Sequence, residues 1–269
     1  MSDRRADSTL RVGLGADDRG LSEVVAFILT FAIILGSVGL LYTTAFGAML
    51  DYQENEQETN AVRAMDSLTD NFNDVLWSNG VNQRYGELSL RDGSITTGDG
   101  GTKLNITIHR NDSTETVGVS SDDRFGGYGD NVTAEIGEFA YESDDSTIAY
   151  EGGGLVRGDE TGSVVLREPQ LRCNLDQNTA IISLVAVSAE DRSVQASSGL
   201  GVAMTVEDRS SKVYTGVENV TIEREDYGAY ENAWNDILSG WTEDDGGCGD
   251  FDGDDGRVVV TIVEVDIDY

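Results

Sequence analysis

Hydrophobic residues near the start of the chain form one long uninterrupted segment. From Val24 to Leu50 no residue carries a formal charge, and twelve of the nineteen residues from Val24 to Tyr42 are Leu, Ile, Val or Phe. At ~1.5 Å per residue this run is about 40 Å long, which exceeds a hydrocarbon core of ~30 Å. A helix buried in a soluble core is usually much shorter and needs cover on every side. The pattern therefore predicts a membrane-compatible helix.

The next segment predicts that this helix continues beyond the apolar run. Residues 51–60 are polar on all sides, as suits a solvated helix. Apolar residues then recur every three or four positions, which is the spacing of one helix face. They are Ala61, Met65, Leu68, Phe72, Val75 and Leu76. Because Ser78-Asn79-Gly80 is a typical helix end, we predict a nearly continuous helix over residues 21–77.

After Gly80 the apolar residues alternate with polar ones, which is typical of β-strands. Leu104, Ile106 and Ile108 show this alternation, while residues 180–187 and 258–265 are apolar on both faces and predict buried central strands. One short helix is predicted where apolar residues share a face, namely Tyr230, Trp234, Ile237, Leu238 and Trp241. The predicted fold class is α+β: a long N-terminal transmembrane or pilin-type helix, then a mainly antiparallel, sandwich-like β domain of about eight to ten strands with one short helix.

The residues in front of the apolar run suggest how the chain is processed. The polar segment ends in Arg19-Gly20, and the stretch RGLSEVVAFILT follows directly into the helix. This order resembles the class III leader of type IV pilins and archaellins, and in particular that of haloarchaeal pilin-like proteins. The resemblance implies that a prepilin peptidase cuts between Gly20 and Leu21 and leaves the helix attached. It also implies that the helix packs with those of other pilin-like subunits.

Glu23 departs from the bacterial form of this pattern. Bacterial pilins have a glutamate at the fifth mature position, whereas Glu23 would be the third after cleavage at Gly20. The resemblance makes Glu23 a candidate charge at the membrane edge or in a filament, where it would neutralise a neighbouring N-terminal amine. The alternative is an ordinary signal anchor in which Arg-Gly occurs by chance.

Charge asymmetry around the apolar run predicts its orientation. Arg4, Arg5, Arg11 and Arg19 precede it, and only Arg63 follows soon after. Positive residues favour the cytoplasmic side. We therefore expect a cytoplasmic leader (residues 1–20), a transmembrane or filament-core helix (21–50), an extracellular helical stalk (51–79) and a β-rich exterior domain (80–269).

The overall charge excludes one class of partner and suggests an environment. The chain has 18 Lys and Arg residues against 50 Asp and Glu, a net charge of −32. Such a surface repels nucleic acids and anionic lipids. High acidity with only two lysines, Lys103 and Lys212, resembles proteins of salt-accumulating archaea, in which salt screens the self-repulsion.

Export would permit two kinds of covalent modification. Cys173 and Cys248 suffice for one disulfide, the alternative being two unpaired thiols. Four Asn-X-Ser/Thr sequons are candidates for N-glycosylation, although such tripeptides also occur by chance. Their asparagines are Asn105, Asn111, Asn131 and Asn219.

Few residues suggest metal binding or catalysis. Asp250, Asp252 and Asp254 stand at alternate positions, as calcium ligands do, but the glycine and glutamate of an EF-hand loop are missing. We favour a solvated loop over calcium there and expect no other cofactor. His109 is the only histidine, and no nucleophile elbow accompanies it. The sequence therefore does not predict an enzyme.

These observations predict a structural role at the cell surface. The first hypothesis is an archaeal type IV pilin-like protein, most simply a minor pilin, that contributes to surface structure or adhesion without catalysis. A second is a membrane-anchored monomeric binding protein that never polymerises. The third, an anchored extracellular enzyme, has the least support, because no catalytic constellation stands out.

Overall fold

The structure, a computed structural model, divides the chain into two compact units, Met1–Glu56 and Gln57–Tyr269. It describes residues 17–88, 93–98, 101–111, 113–118, 134–143, 146–188, 190–195, 199–225, 230–249, 251 and 255–269. The first unit is described only as helix, whereas the second contains the remainder of that helix and all of the described strands.

Helix α1 runs over Asp17–Trp77, a length of 61 residues or about 90 Å. It ends where the sequence predicts. The amide of Ser78 donates to the carbonyl of Asp74, and Asn79 and Gly80 then form a turn. It begins four residues earlier than the predicted start at Leu21. The glycines at positions 36 and 39 do not interrupt it, since a helix can include isolated glycines when apolar residues surround them.

The strands of the second unit form three sheets, and the first of these has five strands. In spatial order they are β1 (Gln83–Leu88), β13 (Leu200–Val217), β16 (Gly256–Asp268), β11 (Thr179–Val187) and β10 (Gln170–Asn174). All pairs are antiparallel except β11 with β16, which is parallel. We call this sheet the first sheet.

The second and third sheets are antiparallel throughout. The second contains β12 (Arg192–Gln195), β2 (Ser94–Gly98), β6 (Glu138–Glu142), β7 (Ser146–Glu151), β8 (Gly154–Asp159) and β9 (Gly162–Arg167). The third contains β15 (Cys248–Gly249), β14 (Asn219–Arg224), β3 (Lys103–Arg110) and β4 (Ser113–Val117), with β5 (Ala134–Glu135) also paired to β3. The α+β class and the mainly antiparallel pairing are thus confirmed.

Two details of the strand prediction differ from the structure. The described residues form sixteen strands, more than the eight to ten expected, because several have only two to five residues and leave little periodicity in the sequence. The sequence pattern also does not predict that β13 continues over all of Leu200–Val217, with a bulge at Glu207. A bulge inserts one extra residue and so breaks the alternation that the sequence pattern relies on.

The apolar stripe of α1 packs on the sheets of the second unit, as its spacing predicts. All six residues of the stripe are buried, from Ala61 to Leu76. They share a core with the inner residues of β1, β2, β6, β7 and β8 and with Val263, Val265 and Ile267 of β16. The tight turn Gly152-Gly153 lies beside this helix, and φ angles of 60° and 90° require glycine at both positions. The side chain of Asn73 donates to the carbonyl of Gly153 at 2.7 Å.

Ion pairs border this helix-to-sheet contact. Arg167 bonds Asp66 and Asp70, and Arg157 bonds Glu58 with an N–O distance of 2.8 Å. These pairs are half exposed, so each contributes little to the free energy of folding compared with the buried stripe.

The predicted short helix is α2 (Glu231–Ile237), and it covers a second core. Trp234 is fully buried among residues of the third sheet and the inner faces of β11 and β16. Tyr230, Ile237, Leu238 and Trp241 are buried with it, as their shared spacing predicts. The first sheet therefore contributes to two cores, with α1 against one face and the third sheet and α2 against the other.

Candidate functional site

The apolar segment of α1 is the first candidate functional site. Leu21–Phe46 is a 26-residue helical stretch that is long and apolar enough to cross a membrane. Every one of its side chains is exposed in the isolated chain. Hydroxyls in its interior are satisfied within the helix, since those of Thr30, Ser37 and Thr44 bond to main-chain carbonyls three or four residues earlier. This arrangement is suited to an apolar environment, which offers no other hydrogen-bond partners.

Residues of the predicted processing site lie at the start of this segment. The Gly20–Leu21 bond falls in the first turns of α1, which begins at Asp17. Glu23 is exposed at the polar end of the apolar segment. Around Gly36 and Gly39 there is open space, so another helix can approach closely at these positions. The segment thus offers both a lipid-compatible surface and a small-residue surface for helix packing.

A buried carboxylate forms the second candidate site, at the contact between α2 and the sheets. Glu151 is 1% exposed and accepts hydrogen bonds from the indole Nε1 of Trp234 at 2.6 Å and from the amide of Thr102 at 2.9 Å. The Thr102 hydroxyl donates to the same carboxylate at 3.1 Å. Burial disfavours the charged form and raises the pKa of Glu151 to about 7, although these hydrogen bonds act in the opposite direction.

A second carboxylate, Glu138, extends this group toward the surface. It accepts a hydrogen bond from the Tyr230 hydroxyl at 3.2 Å, and burial raises its pKa above the ordinary value. Glu138 also lines an open cleft of about 350 Å³ together with Glu142, Asp191 and Arg192. The guanidinium of Arg192 is engaged by Asp268 at 3.0 Å and by the carbonyl of Ile267 at 3.1 Å. The cleft is therefore lined by acidic side chains and by an arginine that is already bonded within the protein.

Sequence reasoning missed the pair Glu151 and Trp234 as a polar contact. Trp234 was predicted as a core residue, and nothing distinguished Glu151 among 50 acidic residues. The one available signal is position: Glu151 directly follows the apolar residues Ile148-Ala149-Tyr150 and precedes three glycines. That signal indicates a strand end rather than a buried acid.

The two cysteines are joined in a disulfide, with an S–S distance of 1.97 Å. Cys173 lies on β10, at one edge of the first sheet, and Cys248 lies on β15, at one edge of the third. The bridge therefore links the edges of two separate sheets, across a separation of 75 residues.

The asparagine side chains of the sequons differ in burial and in their hydrogen bonds. Asn111 is exposed, and Asn105 is half-buried on β3 with its Oδ1 accepting from Thr107. In Asn219 the amide nitrogen, which is the atom that carries a glycan, donates to the carbonyl of Gly246 at 2.8 Å, and its Oδ1 is buried. The folded domain therefore presents Asn105 and Asn111 more readily than Asn219. Asn131 lies outside the described residues.

The remaining candidate residues are the predicted calcium ligands and the single histidine. Asp250, Asp252 and Asp254, the calcium candidates, all lie outside the described residues. Among the residues that are described, no three His, Cys, Asp or Glu side chains come together as a metal site. His109 is half-buried, with its Nε2 3.4 Å from the Thr221 hydroxyl.

Comparison with known proteins gives one match. The model of a family of unknown function (DUF7289) matches residues 19–268, nearly the whole chain. No curated protein and no solved structure matches this chain.

Proposed function

The chain belongs to DUF7289, a family of unknown function, and we propose that it is a pilin-like structural subunit of an archaeal cell surface. Its N-terminal helix holds it in the membrane or in a filament core, and its acidic β domain faces the exterior. A prepilin peptidase removes residues 1–20 at the cytoplasmic side, and the mature chain begins at Leu21. The protein contributes to surface structure or adhesion without catalysis.

The observation that carries this proposal is the fully exposed apolar segment Leu21–Phe46. Leaving its eighteen apolar side chains in water is strongly unfavourable, at roughly 25 cal/mol per Å² of apolar surface. Nothing in the second unit is required to cover this segment, because α1 has its own separate stripe for packing on the sheets. A lipid bilayer or the helices of neighbouring subunits would provide the missing contacts.

Two further features support an exterior location for the β domain. Disulfides persist in oxidising surroundings and are rare in the cytosol, so the Cys173–Cys248 bridge favours export. The arginines that precede the apolar segment favour a cytoplasmic N-terminus. Both arguments favour a cytoplasmic N-terminus and an exterior β domain.

Mechanical shearing of whole cells tests the proposal. If the protein is a filament subunit, a large share of it appears in the sheared, sedimentable material at the size of the processed chain. A chain that stays in the membrane and leaves it as a detergent-solubilised monomer would instead support the anchored binding protein. Recovery from the cytosol without detergent would contradict both.

One variant alters the predicted processing site, and a second variant elsewhere in the chain is its control. Replacing Gly20 by a bulky residue (Gly20→Leu) should block cleavage, keep residues 1–20 on the chain and reduce the sheared fraction. Gly80→Ala is the control, because it lies in the turn after α1 with open space around it. Equal processing of Gly20→Leu and wild type would contradict the leader assignment.

A further inference from the structure

Part of the outer side of the first sheet is an open face that α1 does not cover. Strand register places twelve residues on it, three from each of four adjacent strands. They are Gln170, Arg172 and Asn174 of β10; Thr179, Ile181 and Ser183 of β11; Arg257, Val259 and Thr261 of β16; and Thr215, Val213 and Ser211 of β13. Ser183 is buried, and the other eleven are exposed or half-buried. Farther along the same side, Val185 and Val263 pack against the α1 stripe, so the open face begins where the helix contact ends.

The open face has the opposite charge to the rest of the protein. None of its twelve residues is Asp or Glu, and two are arginines, in a chain with 50 acidic and 18 basic residues. Arg172 and Arg257 are both exposed. The other two sheets carry exposed or half-buried carboxylates, for example Glu142 on β6 and Glu223 on β14. A general preference of strands for uncharged residues does not account for this local reversal of sign.

An apolar row crosses the middle of the open face. Ile181, Val259 and Val213 are direct cross-strand neighbours. Ile181 is 38% exposed and Val213 is 54% exposed. Threonine, serine and arginine side chains flank the row on both sides. An apolar centre with a polar, arginine-containing rim is the usual composition of a protein–protein contact.

We propose that the open face docks on an acidic surface of a second copy of this chain. The occupant follows from charge complementarity: a positively charged face fits an acidic partner, and outside this face a neighbouring copy has 50 acidic residues against 16 basic ones, including the exposed run Glu243-Asp244-Asp245.

The charge of the open face also determines the geometry of the contact. Two copies that met through the same face would bring two positively charged surfaces together, which is unfavourable. The face must therefore meet a different surface of the next copy. Such a heterologous contact does not close on itself by twofold symmetry and can repeat along a row of subunits. It is the type of contact that a filament needs.

The size of the open face shows that it acts together with another contact. Four strands ~4.8 Å apart and three residues along each strand cover roughly 20 Å by 20 Å, or about 400 Å². A standard interface buries ~800 Å² per partner. The face alone is too small to hold two copies together, but it suffices when the N-terminal helices already keep them close. The inference therefore rests on the proposed function and adds an exterior contact to it.

Photo-cross-linking of the full chain in its native membrane tests the inference. One variant carries a photoreactive residue in place of Val213, in the open face, and another carries it in place of Ile33, in the apolar segment. We expect Val213 to cross-link to an Asp- and Glu-rich peptide of a second copy. Cross-links from Val213 to another protein, to lipid or to the open face of the second copy would overturn the inference.

The Ile33 variant separates the two claims. If Ile33 cross-links to a second copy while Val213 cross-links to nothing, the helices assemble and the open face does not dock. If neither residue cross-links to a second copy, the subunit proposal fails together with the inference. Cross-links from both Ile33 and Val213 to a second copy support both the subunit proposal and docking through the open face.

Charge reversal at one arginine provides a second measurement. Arg257→Glu should lower the yield of the Val213 cross-linked dimer by about five-fold, because it replaces an attraction with a repulsion. Arg63→Glu makes the same change of charge at an exposed site on α1 and should leave that yield unchanged. The Ile33 cross-link serves as the folding and assembly control. Equal yields for the two glutamate variants would contradict the electrostatic basis of the contact.

Discussion

Phe72 of α1 meets Tyr150 of β7 edge to face, with their ring centroids 5.7 Å apart and both side chains buried. The Tyr150 hydroxyl also donates to Asn73 Oδ1 at 3.0 Å, so one aromatic side chain contacts two consecutive helix residues. This contact lies at the centre of the helix-to-sheet core. It makes the last turns of α1 part of the β domain rather than a free stalk.

The first prediction compares this core with the ion pairs at its border. Phe72→Ala should lower the free energy of unfolding of the second unit by about 3–5 kcal/mol, because it leaves a cavity in a packed core. Arg167→Ala removes the pairs to Asp66 and Asp70 and should cost less than about 1 kcal/mol, since these groups are half exposed. Urea denaturation of the full chain in detergent, followed by tryptophan fluorescence, measures both. Similar losses in the two variants would mean that charge rather than packing holds α1 on the sheets.

A second prediction concerns pH and Glu151. Burial raises the pKa of this carboxyl from 4.5 to about 7, so the folded protein keeps a proton that the unfolded chain releases. Its contribution to stability is therefore greatest below about pH 4.5 and is lost as the pH rises to about 7. Between pH 5 and pH 8 the loss is roughly 2–3 kcal/mol.

Glu151→Gln tests this by removing the titrating group. The free energy of unfolding of the variant should fall less between pH 5 and pH 8 than that of the wild type, by the amount given above, at constant salt. Glu207→Gln is the control, because Glu207 is exposed on β13. If Glu151→Gln shows the same pH dependence as the wild type, the Glu151 carboxyl does not titrate in this range.

The third prediction concerns the disulfide. Replacing both Cys173 and Cys248 by serine removes a cross-link that spans 75 residues. By chain entropy the bridge contributes on the order of 4 kcal/mol, so the variant should melt at a clearly lower temperature than the oxidised wild type. Reduced wild-type protein should melt close to the variant. A melting temperature that does not respond to either change would show that the bridge is absent in the native protein.

A fourth prediction separates the sequons. If the exterior domain is glycosylated, glycans should be found at Asn105 or Asn111 before Asn219, whose amide nitrogen is bonded to Gly246. Peptide mass spectrometry of protein from its native source gives the occupancy of each site. High occupancy at Asn219 would require that the chain be modified before the third sheet forms.

Sequence patterns predicted the elements with long, regular periodicity and missed those that depend on contacts between distant residues. The end of α1 at Trp77, its buried stripe and the helix around Trp234 follow from local spacing. The parallel pairing of β11 with β16 does not, because an apolar run indicates a buried strand but does not identify the distant strand that pairs with it. Buried Glu151 and the open face depend on register between strands far apart in the chain.

The central claim is that the N-terminal helix is kept and the leader in front of it is removed. N-terminal sequencing of the mature protein, isolated from sheared filaments or from membranes, tests this most directly. The account predicts a first residue of Leu21, with the apolar segment Leu21–Phe46 still attached. A mature protein that begins after Phe46 and stays in solution without detergent would contradict it.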